Sequence, residues 1–119
     1  MIDDNKILEL ILLNDRYGDP HKTNIHGSIY ASPLTLRYIY HGLLIIKYIK
    51  DNDIKFLSFV EIGGGYGGLA LITSNLCTFF GIEYNKYYIL DLKNVSNFQN
   101  KYLELNGMKK HSTINCKEN

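Results

Sequence analysis

The chain has 119 residues, 45% of them hydrophobic and 21% charged, which fits one globular core and excludes a wholly disordered chain. Thirteen Lys and Arg against twelve Asp and Glu leave a formal net charge of +1. Seven basic residues stand against seven acidic ones through residue 60 and six against five after it, so the strongly basic face of a nucleic-acid binder is excluded.

The opening Met1-Ile2-Asp3-Asp4 is acidic where a secretory leader would be basic, so an intracellular, cytoplasmic chain is expected. Asp3, Asp4 and Asn5 can cap a helix whose apolar residues Ile7, Leu8, Leu10, Ile11 and Leu12 share one broad face, ending near Asn14. Asn14 through Pro20 crowds turn-forming residues together, and little periodicity follows as far as Ser28. The reading is a long loop over 14–32, either covering a binding site or serving as a surface connector.

Ser32-Pro33 reads as a helix start, with serine as cap and proline where its missing N–H is not needed. Leu36, Ile39, Leu43, Ile46 and Ile49 then recur at helical spacing, while Arg37, His41 and Lys47 fall off the stripe. Those charges, and the shortfall from the roughly 20 apolar residues of a bilayer span, argue against a membrane helix. Asp51-Asn52-Asp53 ends the element.

Phe56 to Ile62 is rich in aromatic and β-branched residues, the pattern of a buried parallel strand. A glycine-rich turn follows, then an apolar helix from Leu69 ending around Asn75 to Cys77, and a second strand over Tyr87 to Leu90 closed by Asp91. Asn94 can cap a last helix carrying Val95, Phe98, Tyr102 and Leu105, with Gly107 as its left-handed terminator. Ser112 to Cys116 is a stub of a third strand. The predicted class is α/β, a partial Rossmann-like fold: residues 1–53 form a helical and loop segment and 54–119 a truncated cofactor-binding unit of one structural domain. Cys77 and Cys116 have no CxxC grouping, so neither zinc nor a disulfide is expected, and Cys77 is expected buried and reduced.

The chemistry lies in Glu61-Ile62-Gly63-Gly64-Gly65-Tyr66-Gly67-Gly68. At the carboxyl end of a parallel strand, glycines let backbone approach a ligand with no Cβ in the way, and the following helix presents free N–H groups to an anion. Asp91, at the end of the next strand, is placed for a ribose diol. Gly63, Gly65 and Gly68 also satisfy the GxGxxG dinucleotide pattern, so the glycines alone leave the nucleotide open. Glu61, Gly67 and the helix before the first strand favour S-adenosylmethionine over a nicotinamide cofactor, and no Lys followed by Ser or Thr closes the run as a P-loop requires.

Four segments in order, Asn14 to Pro20, Ser32 to Tyr38, Val60 to Gly68 and Tyr88 to Leu92 followed by Gln99 and Tyr102-Leu103, make the sequence resemble the class I S-adenosylmethionine-dependent methyltransferases and, more narrowly, the sugar O-methyltransferases. The resemblance implies that Gly63, Gly64, Gly65 and Gly67 cradle the cofactor, that Glu61 engages its methionine end and Asp91 its ribose, and that Arg37 approaches its carboxylate. It implies methyl transfer to a saccharide or other small-molecule hydroxyl, with His21, His26 and His41 the candidate proton acceptors and none assigned. The family's sheet has more strands than this sequence predicts. The sheet is therefore expected to be incomplete, either completed by a second polypeptide or left as a non-catalytic interaction module.

Overall fold

The computed structural model describes residues 2–18, 20–27 and 29–115. Helix α1 (Asp4–Asp15) opens on Asp3, whose carboxylate accepts the Lys6 N–H, a cap that stabilises the helix by about 1 kcal/mol. Strands β1 (Thr23–His26) and β2 (Ile29–Ala31) form an antiparallel hairpin turned at Gly27, which has φ +58°. The unbroken loop expected over 14–32 is thereby corrected. Its strands are four and three residues long, with Thr23, Asn24, Ile25 and Tyr30 exposed, Ile29 half-buried and Ala31 buried, so no apolar alternation marks them. Asp19 and Ser28, which belong to that stretch, lie outside the described residues.

Helix α2 (Pro33–Asp51) begins at the expected Ser32-Pro33 and buries Ile39, Ile46 and Ile49, while Arg37, His41 and Lys47 are exposed. It crosses helix α3 (Gly68–Phe79) at Gly42, where a Cβ would lie 2.8 Å from Leu76 Cδ1. Leu71, Ile72 and Leu76 of α3 are fully buried and form the centre of the core. α3 runs beyond its expected end, as far as Phe79.

Strands β3 (Leu57–Ile62), β4 (Tyr84–Asp91) and β5 (His111–Asn115) form a parallel sheet in the order β3-β4-β5. The described architecture is thus mixed α/β with a three-stranded parallel sheet, compatible with part of a Rossmann-like fold. Phe59, Tyr84, Tyr87 and Ile89 lie on the face covered by helices, with Phe59 against the rings of Tyr84 and Tyr87. The register pairs Val60 with Tyr88 and Ile62 with Leu90 on the opposite face. There Val60 is 69% and Ile62 79% exposed, which corrects the expectation of a strand buried on both faces.

Helix α4 (Lys93–Leu105) packs on β4 and β5, and Gly107 beyond it has φ +76° as expected. Its N-cap is Leu92 and not Asn94, and it is rotated from the expected orientation. Ser96, Gln99, Tyr102 and Leu103 face inward, while Phe98 and Leu105 are half exposed. Cys77 is buried and free; Cys116 lies outside the described residues. Among the described residues no helix is long and apolar enough to cross a membrane.

Candidate functional site

The glycine turn leaves the carboxyl end of β3 and enters α3. Gly63 has φ +74°, with nothing within 4 Å of where a Cβ would stand. Its backbone is therefore open to anything that approaches the end of the sheet, and any side chain there would project into that space. Gly65, at φ +55°, faces the Tyr38 hydroxyl 3.4 Å from its Cβ position.

Gly64 and Gly67 are explained by packing. A Cβ on Gly64 would lie 2.5 Å from Ile89 Cγ2 and 3.2 Å from Gln99 Nε2. Gly67 caps α3 at φ +103°, and a Cβ there would lie 3.3 Å from Leu103. Gly68 is equally tight, its Cβ position 2.5 Å from the Tyr38 ring and 2.7 Å from the Tyr66 ring.

Asp91 ends β4 beside this turn. Its Oδ2 accepts the Gly64 N–H at 3.0 Å and Gln99 Nε2 at 2.9 Å, and its Oδ1 accepts the Leu92 N–H at 2.8 Å. Gln99 also donates to the Gly65 carbonyl at 2.7 Å, so one buried amide joins the turn to the carboxylate. Gln99 Oε1 has no hydrogen-bond partner among the described residues. A buried orphan acceptor costs about 1–3 kcal/mol, which the fold tolerates in order to keep both amide hydrogens on the turn and on Asp91.

Glu61 lies on the helix-covered face of β3, its Oε1 accepting the Tyr87 hydroxyl at 2.8 Å. Burial pushes its carboxyl above the ordinary range, and the nearby Asp91 charge adds to the rise, while the Tyr87 hydrogen bond opposes it. Tyr38 is raised by burial and by Glu61, and lowered by Arg37. Glu61, Tyr38 and Arg37 therefore share one electrostatic neighbourhood at the end of β3. Arg37 itself is exposed and makes no hydrogen bond among the described residues.

A second layer supports the turn from behind. Asn14 donates from Nδ2 to the Gly68 carbonyl at 3.0 Å and accepts the Tyr66 hydroxyl on Oδ1 at 2.6 Å. The Tyr102 hydroxyl donates to the Asn14 carbonyl at 2.6 Å. The Thr35 hydroxyl reaches both Asn14 and Asp15, and Asp15 Oδ2 accepts the Ser32 N–H at 2.9 Å. Burial raises the Tyr66 phenol to about 12, so it stays a hydrogen-bond donor at neutral pH.

Of the candidate histidines, His21 and His41 are exposed, and the His26 side chain lies outside the described residues. Among the described residues no three His, Cys, Asp or Glu side chains converge as a metal ligand set. A concavity of about 800 Å³ lies at the other end of the sheet, lined by Ile54, Phe56, Ile82 and Asn85 among others. Ligands of parallel sheets bind at the carboxyl ends of strands, which selects the glycine turn over that hollow. The sequence pattern points to the turn, Glu61 and Asp91, which the fold brings to one end of the sheet; the bond of Gln99 to Gly65 and the support from Asn14 and Thr35 were missed, because their partners are distant in the chain.

No protein-family model and no curated protein matches the sequence. The fold is similar to the crystal structure of an uncharacterized COG1565 superfamily protein from Burkholderia thailandensis, with TM-score 0.56 and 17% identity. The match covers 70% of this chain and 23% of that one, so the chain spans about a quarter of that structure's length. At this identity the likeness speaks for the fold alone. It corrects the sequence resemblance drawn above, since the COG1565 superfamily is a different family from the class I and sugar O-methyltransferases.

Proposed function

We propose that the turn between β3 and α3, together with Asp91, binds the nucleoside part of S-adenosylmethionine, and that the chain is the cofactor-binding part of a methyl-transferring enzyme. The observation that carries this reading is the pairing of Gly63, left-handed with open space before it, with a carboxylate held one strand away by the Gly64 N–H. An adenosine ribose needs such an acceptor, and a sugar ring lying on backbone needs the missing Cβ.

When bound, the cofactor supplies an electrophilic sulfonium methyl. The chain's own groups suit its amino-acid end, which carries an ammonium and a carboxylate. Glu61 offers the countercharge to the ammonium, with only Oε1 engaged among the described residues. Arg37, on the exposed side of α2 next to Tyr38, offers one to the carboxylate. A dinucleotide would instead bring a pyrophosphate to the turn, where the Glu61 carboxyl opposes it, while Asp91 would serve either ligand's ribose. This disfavours the nicotinamide alternative. The hydroxyl acceptor, a saccharide's or another small molecule's, is implied by the family resemblance alone and forms no part of this proposal.

A second reading, a non-catalytic module that works by associating with another polypeptide, draws on the bare sheet face of Val60, Ile62 and Ile114. Calorimetric titration of the folded chain with S-adenosylhomocysteine, with NADH as control, separates the two. Saturable binding of the first ligand alone supports the cofactor reading, and no binding by a folded chain supports the module.

A further inference from the structure

We infer that Asp91 accepts only one of the two ribose hydroxyls, because Gln99 and the Gly64 N–H already hold its other oxygen; this rests on the reading of the site just proposed. An ionised carboxylate offers about four acceptor positions, two on each oxygen. On Asp91 Oδ2 both are taken, by Gly64 at 3.0 Å and by Gln99 at 2.9 Å. Oδ1 accepts the Leu92 N–H at 2.8 Å, which leaves a single position for a ligand. The diol contact expected from the sequence thus narrows to one hydroxyl.

The constraint is built into α4. Gln99 Nε2 sits between the Gly65 carbonyl and Asp91 Oδ2, two groups that only accept. Both its hydrogens are therefore committed, and reversing the amide would set oxygen against oxygen. The side chain is 0% exposed, so no water competes for these bonds. Gln99 is a positioning residue in two senses. It fixes the turn and the carboxylate in one geometry, and it removes the acceptor position that a second hydroxyl would need.

The consequence is an unequal dependence on the two hydroxyls. The full chain is titrated with S-adenosylhomocysteine and with its 2′-deoxy and 3′-deoxy forms, with circular dichroism to confirm folding. One deoxy form is expected to bind within about twofold of the parent and the other about tenfold more weakly. In Gln99→Ala the truncated side chain opens room beside the freed Oδ2 position, so the second hydroxyl can reach it and the ratio between the deoxy forms falls toward one whatever the overall affinity. A merely structural loss would weaken both in proportion and keep the ratio. If Gln99→Ala does not fold, the wild-type ratio decides alone. Equal losses for the two deoxy forms overturn the inference and leave the site reading standing. Failure of the parent to bind folded wild-type chain overturns both.

Discussion

The Tyr66 hydroxyl donates a 2.6 Å hydrogen bond to Asn14 Oδ1, tying the middle of the glycine turn to the last turn of α1, 52 residues earlier. The tyrosine ring also meets Tyr38 and Tyr102 edge-on, with centroids 5.8 and 5.0 Å away. The turn is therefore open toward the end of the sheet and braced on the helix side. That combination suits a site that receives a ligand without first having to order itself.

Asn14→Ala removes the acceptor of Tyr66 and the donor to the Gly68 carbonyl together, leaving polar groups unpaired in a buried place. We expect a loss of about 2–4 kcal/mol in urea unfolding, against about 1 kcal/mol for Tyr66→Phe, which deletes one hydrogen bond. Equal effects from the two substitutions would show that Asn14 is not the hub of this layer.

Gly63→Ala and Gly64→Ala differ in kind. At Gly63 the added methyl meets no atom, so only the left-handed backbone resists, at about 1–2 kcal/mol. At Gly64 the methyl collides with Ile89 and crowds Gln99, and overpacking adds about 1–3 kcal/mol. The first variant should remain folded in a thermal melt and lose ligand, while the second should be compromised in both respects. The reverse order of stability would contradict the geometry of the turn.

The raised carboxyl of Glu61 has a defined sign. The folded state holds this proton more tightly than the unfolded chain, so its favourable contribution is complete below the ordinary value of 4.5 and is lost as pH rises through the raised one. Glu61→Gln, which keeps an acceptor for Tyr87, should therefore raise the melting temperature at pH 7 and give no gain at pH 4. A variant less stable than wild type at pH 7 would count against burial as the dominant cause. The same substitution should weaken S-adenosylhomocysteine, whose ammonium loses its partner.

Burial raises the Cys77 thiol to about 11. It should resist alkylation at pH 8 in the folded chain and react fully in denaturant, as read by peptide mass. Rapid labelling of Cys77 under native conditions would mean that the α3 core is not packed as described.

Much of this was legible in the sequence, and the omissions have physical causes. The Ser32-Pro33 start of α2, the stripe from Leu36 to Ile49 and the strand, glycine turn and helix around Gly63 are local signals, and the fold realises each of them. The hairpin at Thr23 to Ala31 escaped because its strands are four and three residues long and largely exposed. The face of α4 was misread because Val95, Phe98 and Leu105 suggest an apolar stripe, whereas Gln99 and Ser96 turn inward. Gln99 does so to bond Gly65, 34 residues away, a partnership that no periodicity displays. The family resemblance, built on four short segments in order of which the glycine motif is common to many methyltransferases, is corrected by the likeness to a COG1565 superfamily structure.

The most direct test is calorimetric titration of the folded wild-type chain and of Gly63→Val with S-adenosylhomocysteine. Saturable binding by the wild type and none by a folded Gly63→Val is the predicted result, since the branched side chain would fill the open space before the turn. Equal affinity for the two proteins would contradict it, because the ligand would then lie somewhere other than the end of β3.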